Sequence, residues 1–264
     1  MPVIPITSLD DPRIGAYRNV KDRELERRGA RFLAEGEFLV RRLFASVFPV
    51  ESMLLADRRT AEIAPIAPPG LPVYEVPQIL MNEIMGLKFH SGVMACGVRP
   101  KPRSIDEAIP RDKTPLTLVI CPEISNGENL GSMIRISAAL GADAIVLGEK
   151  CHDPFWRQSI RVSMGTIFSL PLVQSQNIGE DLVRLKAEWG VQPAATVLDA
   201  EAEPLAGATR PEKFGLLFGS EAQGIEGRYV AMCDRRITIP MHWGTDSLNV
   251  AVAAGIFLHH FMKC

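Results

Sequence analysis

From about residue 116 onward, short uninterrupted apolar runs alternate with longer segments of helical spacing. TLVIC (117–121), AIVLG (144–148), AATVL (194–198), FGLLFG (214–219) and RITIP (236–240) read as strands. Between them, LGSMIRISAALG (130–141) reads as a helix closed by Gly141, and 179–189 as an amphipathic helix. The segment 247–262 reads as a last, strongly apolar helix. Strands without polar alternation are covered on both faces, so the pattern predicts an α/β fold with a parallel sheet.

The first hundred residues follow a different rhythm. In 18–46, Leu25, Phe32, Leu39, Val40, Leu43 and Phe44 recur near helical spacing, which predicts helix interrupted at Gly29 and Gly36. SMLLAD (52–57), PVYEVP (72–77) and SGVMACGV (91–98) are apolar runs bounded by proline, glycine or charge, and read as strands. The stretch 99–115 then carries four prolines and mixed charge, as a linker does. The expected organisation is a small α/β domain over 1–98, a linker over 99–115 and a larger α/β domain over 116–264.

Composition narrows the function. The chain has 264 residues, 47% hydrophobic and 23% charged, with a formal net charge of −2, so it lacks a global basic signature for nucleic acid. A local basic patch stays open; 18–31 is rich in Lys and Arg, as many solvated faces are. Five cysteines without a CxxC pair are expected to be reduced thiols in a cytoplasmic protein. The five histidines make no metal-ligand spacing, so no metal is expected. No basic-then-apolar leader opens the sequence, and no uncharged run reaches the roughly 20 residues of a membrane span.

Ligands of parallel α/β sheets bind beyond the carboxyl ends of strands. Three polar clusters follow predicted strands. In SNGENLGSMIR (125–135), Asn129 is a candidate cap and Arg135 interrupts an apolar helix start. In FGSEAQGI (218–225), Gly219 and Gly224 permit close approach of a ligand, and Glu221 is either functional or a solvated carboxylate. In IPMHWGTDSLNVAVAAG (239–255), Ser247 serves as a helix cap, which places Asn249 near the second helical position. One cap suffices, so the second polar residue asks for another role. Arg157 and Arg161, four apart in PFWRQSIRVSMG (154–165), share one face of any helix there. Walker and G-x-G fingerprints are absent.

Taken in order, N-x-G-x-x-x-R (Asn129, Gly131, Arg135), F-G-S-E-x-x-G (218–224) and I-P-M followed by S-L-N-V (239–241, 247–250) resemble the motifs of the SpoU (TrmH-type) RNA 2′-O-ribose methyltransferases of the SPOUT superfamily. GARFLAEGEFLVRRL (29–43) and HSGVMA (90–95) more loosely resemble the family's small L30e-like substrate-binding domain. One departure stands in the first motif, where Asn126-Gly127 replaces the family's usual Asp-Pro.

The resemblance implies a SPOUT domain with a C-terminal trefoil knot, a homodimer whose interface completes the active site, and S-adenosylmethionine (AdoMet) as cofactor. It implies that Gly219, Ile239, Met241 and Leu248 hold the cofactor, with Thr196 a neighbour. It also implies that Asn129, Arg135, Glu221, Ser247 and Asn249 form the catalytic set, and that RNA meets Arg135, Arg157 and Arg161. The family casts Arg135 as the group that activates the 2′-hydroxyl. A guanidinium stays protonated in proteins, so its expected role is to stabilise the developing alkoxide and grip a phosphate. The L30e-like domain favours ribosomal over transfer RNA as substrate. The rival readings are a catalytically silent RNA-binding protein on this scaffold and an unrelated nucleotide-using α/β enzyme.

Overall fold

A computed structural model of the chain describes residues 3–18, 21–27, 29–220, 222–243 and 247–262. The first elements are β1 (Val3–Pro5), α1 (Asp22–Arg27), β2 (Arg31–Glu35), α2 (Glu37–Phe44), β3 (Val50–Ala56), α3 (Asp57–Ile63), β4 (Val73–Val76), α4 (Gln78–Met85) and β5 (Val93–Val98). There follow α5 (Ile105–Ala108), β6 (Leu116–Cys121), α6 (Gly127–Ala139), β7 (Ala144–Leu147), α7 (Arg157–Val162), β8 (Leu172–Gln174) and α8 (Ile178–Trp189). The chain closes with β9 (Gln192–Thr196), β10 (Glu203–Pro204), β11 (Lys213–Leu217), α9 (Gly227–Val230), β12 (Arg235–Thr238) and α10 (Val250–Phe261). It divides into two compact units, Met1–Lys101 with Phe155–Phe168, and Pro102–Pro154 with Ser169–Cys264.

The first unit is built on a five-stranded sheet in the order β1-β4-β3-β5-β2, with β1, β4 and β3 parallel and β5 antiparallel to both its neighbours. Residues 31–35 are a strand, not the helix that the spacing of Phe32 and Leu39 predicts. Phe32, Leu33 and Ala34 are all buried, so both faces of β2 are covered, and the helical spacing spans two elements. Gly36, at φ 98°, makes the abrupt turn into α2 that a side chain would resist.

The segment 155–168, which sequence places inside the second domain, clusters with this first unit instead. Phe155 and Phe168 lie with ring centroids 5.5 and 5.6 Å from that of Phe32. Arg157, on α7, reaches Asp22 at 2.9 Å and Glu35 at 3.5 Å. Burial pushes the Glu35 carboxyl above the usual carboxylate range, and the Arg157 guanidinium opposes that shift.

The second unit holds a seven-stranded, wholly parallel sheet in the order β10-β12-β9-β11-β6-β7-β8. All six residues of β6 are buried, as a central strand covered on both sides requires. Ile178, Leu182, Leu185 and Trp189 of α8 pack over Leu118, Ile120, Ala144, Val146 and Val173. Alternate strand residues point to the opposite face. There Phe261 and Phe257 of α10 meet Phe214 and Phe218 edge-on, at 4.8 and 5.9 Å between centroids. Among the described residues, no helix is long and apolar enough to cross a membrane.

This strand order sets β12, β9, β11 and β6 side by side, so the loops that leave their carboxyl ends share one edge. Truncating Phe257 removes one of the aromatic contacts that seat α10. Phe257→Ala is expected to lower unfolding free energy by about 3–5 kcal/mol, measured by urea denaturation, with a smaller loss for Phe257→Leu.

Candidate active site

Two helix starts frame this edge. Asn126 is the N-cap of α6, its Oδ1 accepting the backbone N–H groups of Glu128 at 2.8 Å and Asn129 at 3.1 Å. The amide oxygen thus supplies the capping acceptor at the position where the related motif carries aspartate. The cap is therefore Asn126, not Asn129, whose side chain is left for other contacts.

At α10 the cap is Asn249 rather than Ser247. Asn249 Oδ1 accepts from Ala251 N–H at 2.9 Å and Val252 N–H at 3.3 Å, and the helix begins at Val250. Ser247 lies two residues ahead of the cap and is exposed. Because capping fixes which way the Asn249 amide points, its Nδ2 faces outward from the helix start. It donates to Asn129 Oδ1 at 2.9 Å. The two asparagines, 120 positions apart, are joined directly.

Arg135 lies six residues beyond Asn129, about 240° further round α6. Its guanidinium is exposed and has no carboxylate partner among the described residues. Thr196 closes β9, and its hydroxyl donates to the Leu217 carbonyl at the end of the neighbouring β11 at 2.8 Å. Glu221 lies outside the described residues.

The residues expected to hold a cofactor share a property visible only in three dimensions. Gly219, Ile239, Met241 and Leu248 make no main-chain hydrogen bond to another described residue. Each leaves an N–H and a C=O available at the mouth of the sheet, the donor and acceptor set that an adenosine moiety requires. At Gly219 a Cβ would overlap the backbone of Gly224 and Ile225. The turn is closed on itself by paired hydrogen bonds between Ser220 and Gly224, both 2.9 Å. These groups fit AdoMet by the chemistry of the donor set.

Arg157 and Arg161 lie on α7, in the first unit. Arg157 is engaged by Asp22 and Glu35, whereas Arg161 is exposed. Cysteine chemistry finds no support. Burial pushes the thiols of Cys96, Cys151 and Cys233 up to about 12, so they stay protonated and poorly nucleophilic at neutral pH. Sequence reasoning missed Asn126 as a cap, though its place before a helical run was a usable signal. It also missed the exposed indole of Trp243 in the same loop as Met241.

The double use of Asn249 separates two effects. Asn249→Ala removes the cap and is expected to cost about 1 kcal/mol. Asn249→Ser keeps a capping oxygen but loses the donor to Asn129, so urea melts should show it within a few tenths of a kcal/mol of the parent.

Comparison with known proteins places this edge in context. A family model for the SpoU rRNA Methylase family matches residues 116–259. A tRNA/rRNA methyltransferase of Mycobacterium bovis, itself uncharacterised, is 34% identical over 94% of this chain and 87% of its own length. The 23S rRNA (guanosine(2553)-2′-O)-methyltransferase of Bacillus subtilis is 27% identical over 97% of this chain and 98% of its own. The AdoMet-bound rRNA methyltransferase from Sinorhizobium meliloti superposes with a TM-score of 0.83 at 26% identity, covering 98% of this chain and 97% of that one. With the matched region spanning the seven-stranded sheet and the edge just described, the chain belongs to the SpoU rRNA methylase family.

Proposed function

We propose that this chain is an AdoMet-dependent methyltransferase that modifies a ribose 2′-hydroxyl of RNA, with ribosomal RNA as the substrate. The observation that carries the reading is the Asn249–Asn129 hydrogen bond. It ties the starts of α10 and α6 together on the sheet edge that also presents the unengaged main chain of Gly219, Ile239, Met241 and Leu248. Ribosomal RNA is favoured because the Bacillus subtilis and Sinorhizobium meliloti relatives are rRNA methyltransferases.

AdoMet supplies an electrophilic methyl group when bound. Gly219, Ile239, Met241 and Leu248 would hold it through backbone groups, with Thr196 keeping the ends of β9 and β11 in register. The substrate oxygen gains negative charge as its proton passes to solvent water, and Arg135 stabilises that charge while remaining protonated itself. Asn129, Asn249, Ser247 and Glu221 orient the reacting groups.

A homodimer belongs to this proposal. Asn129 and Arg135 sit on different faces of α6, so a second copy is needed to bring a guanidinium to the cofactor edge. Leu248, Val252 and Ile256 form an exposed apolar stripe at helical spacing, which supports a partner there. The trefoil knot is proposed on the same footing, supported by the return of β12 to the far side of β9. The first unit is proposed as the L30e-like RNA-binding domain, with Arg161 among its contacts and Arg157 holding α7 in place.

Three outcomes test the proposal. Arg135→Ala should reduce turnover on ribosomal RNA by about 100- to 1000-fold, the loss typical of a missing oxyanion donor. Its AdoMet affinity, measured by calorimetry, should be unchanged; near-parental turnover refutes the assignment. Gly219→Ala should do the opposite and abolish AdoMet binding, because the new Cβ has no room against Gly224. Mass-spectrometric mapping of RNA from a deletion strain should show one ribosomal 2′-O-methyl missing; loss from transfer RNA instead would reassign the substrate.

A further inference from the structure

Trp243 lies two residues past Met241 and four before Ser247, in the loop between β12 and α10. Its side chain is wholly exposed, at 101% of the reference value. Its backbone lies in the left-handed region, at φ 61°. For a bulky side chain that region is disfavoured, and such outliers gather at functional sites. Glycine would take the same backbone at lower cost.

The indole gives nothing back to the fold. Trp189, by contrast, is buried, donates its Nε1–H to the Ile109 carbonyl at 2.9 Å and lies under Arg111. Trp243 combines a strained backbone with a large apolar group in water, two unfavourable features that internal packing leaves unexplained. Its position supplies the explanation. It projects from the loop that carries the cofactor-facing main chain of Met241 and leads to the cap at Asn249.

Building on the RNA methyltransferase reading, we infer that Trp243 stacks on an unpaired base of the RNA at or beside the methylated nucleotide. Sequence-specific RNA recognition targets unpaired loops and bulges, whose splayed-out bases take a new surface to stack on. A flat indole with both faces in water offers one, and base–aromatic stacking tolerates any base. The exposed Arg135 guanidinium that the proposed second copy brings to this edge supplies the charge for the adjoining phosphate.

The test compares Trp243→Gly, which suits the backbone, with Trp243→Phe, which keeps an aromatic face. Affinity for protein-free ribosomal RNA, turnover, AdoMet affinity and sedimentation are measured on the full chain. Trp243→Gly should raise the Kd and KM for RNA by about ten- to a hundredfold, with Trp243→Phe restoring most of the loss. AdoMet affinity and sedimentation should be unchanged, and RNA should quench the parental indole emission more than that of Trp243→Phe. Parental RNA affinity in Trp243→Gly overturns the inference. So does a loss of AdoMet binding, which makes Trp243 a support of the cofactor loop, or a smaller sedimenting species, which makes it part of a protein interface. If the parent methylates no RNA at all, it is the enzymatic reading that fails.

Discussion

One amide links the two helix starts at the second unit's working edge. Asn249 spends its oxygen on the first turn of α10 and its nitrogen on Asn129 of α6. The first bond fixes where the helix starts, and therefore its phase. With Val250 as the first helical residue, Phe257 and Phe261 fall one turn apart on the face toward Phe218 and Phe214. Val252 and Ile256, also one turn apart, fall on the outer face. The second bond fixes that helix start against α6, so core packing and site geometry depend on the same side chain.

The two sides of the edge work by different chemistry. Around Asn129 and Asn249 the side chains matter, because their amides have the right number of donors and acceptors. Around Gly219, Ile239, Met241 and Leu248 it is the main chain that is unengaged, and the proposed cofactor contacts fall there. Gly219 belongs to both groups. What it contributes is the absence of a side chain, which lets the 218–224 turn close on itself.

The continuous apolar run of β6 was readable because a strand covered on both faces needs no alternation, and all six of its residues are buried. The start of α10 was legible only to within two residues. Ser247 and Asn249 are both good caps, and pattern alone cannot choose between them. The structure chooses Asn249 because its longer amide spans from the helix start to Asn129. Residues 31–35 misled for another reason. Three consecutive buried side chains in β2, followed by Leu39 and Leu43 in α2, give a helical spacing that no single helix produces. The left-handed backbone at Trp243 has no sequence signature, since tryptophan is a poor candidate for that conformation.

The stretch 155–168 has a consequence for how the chain is made. The strands of the first unit are complete by Val98, yet α7, whose Arg157 reaches both Asp22 and Glu35, follows only after β6, α6 and β7. Domains on a ribosome generally fold as units in the order they emerge. Here the amino-terminal unit must wait for nearly seventy further residues, with a cluster of phenylalanines short of two members until Phe155 and Phe168 arrive. The first unit can therefore finish folding only after β6, α6 and β7 of the second have already emerged, so the two units overlap in the order of synthesis.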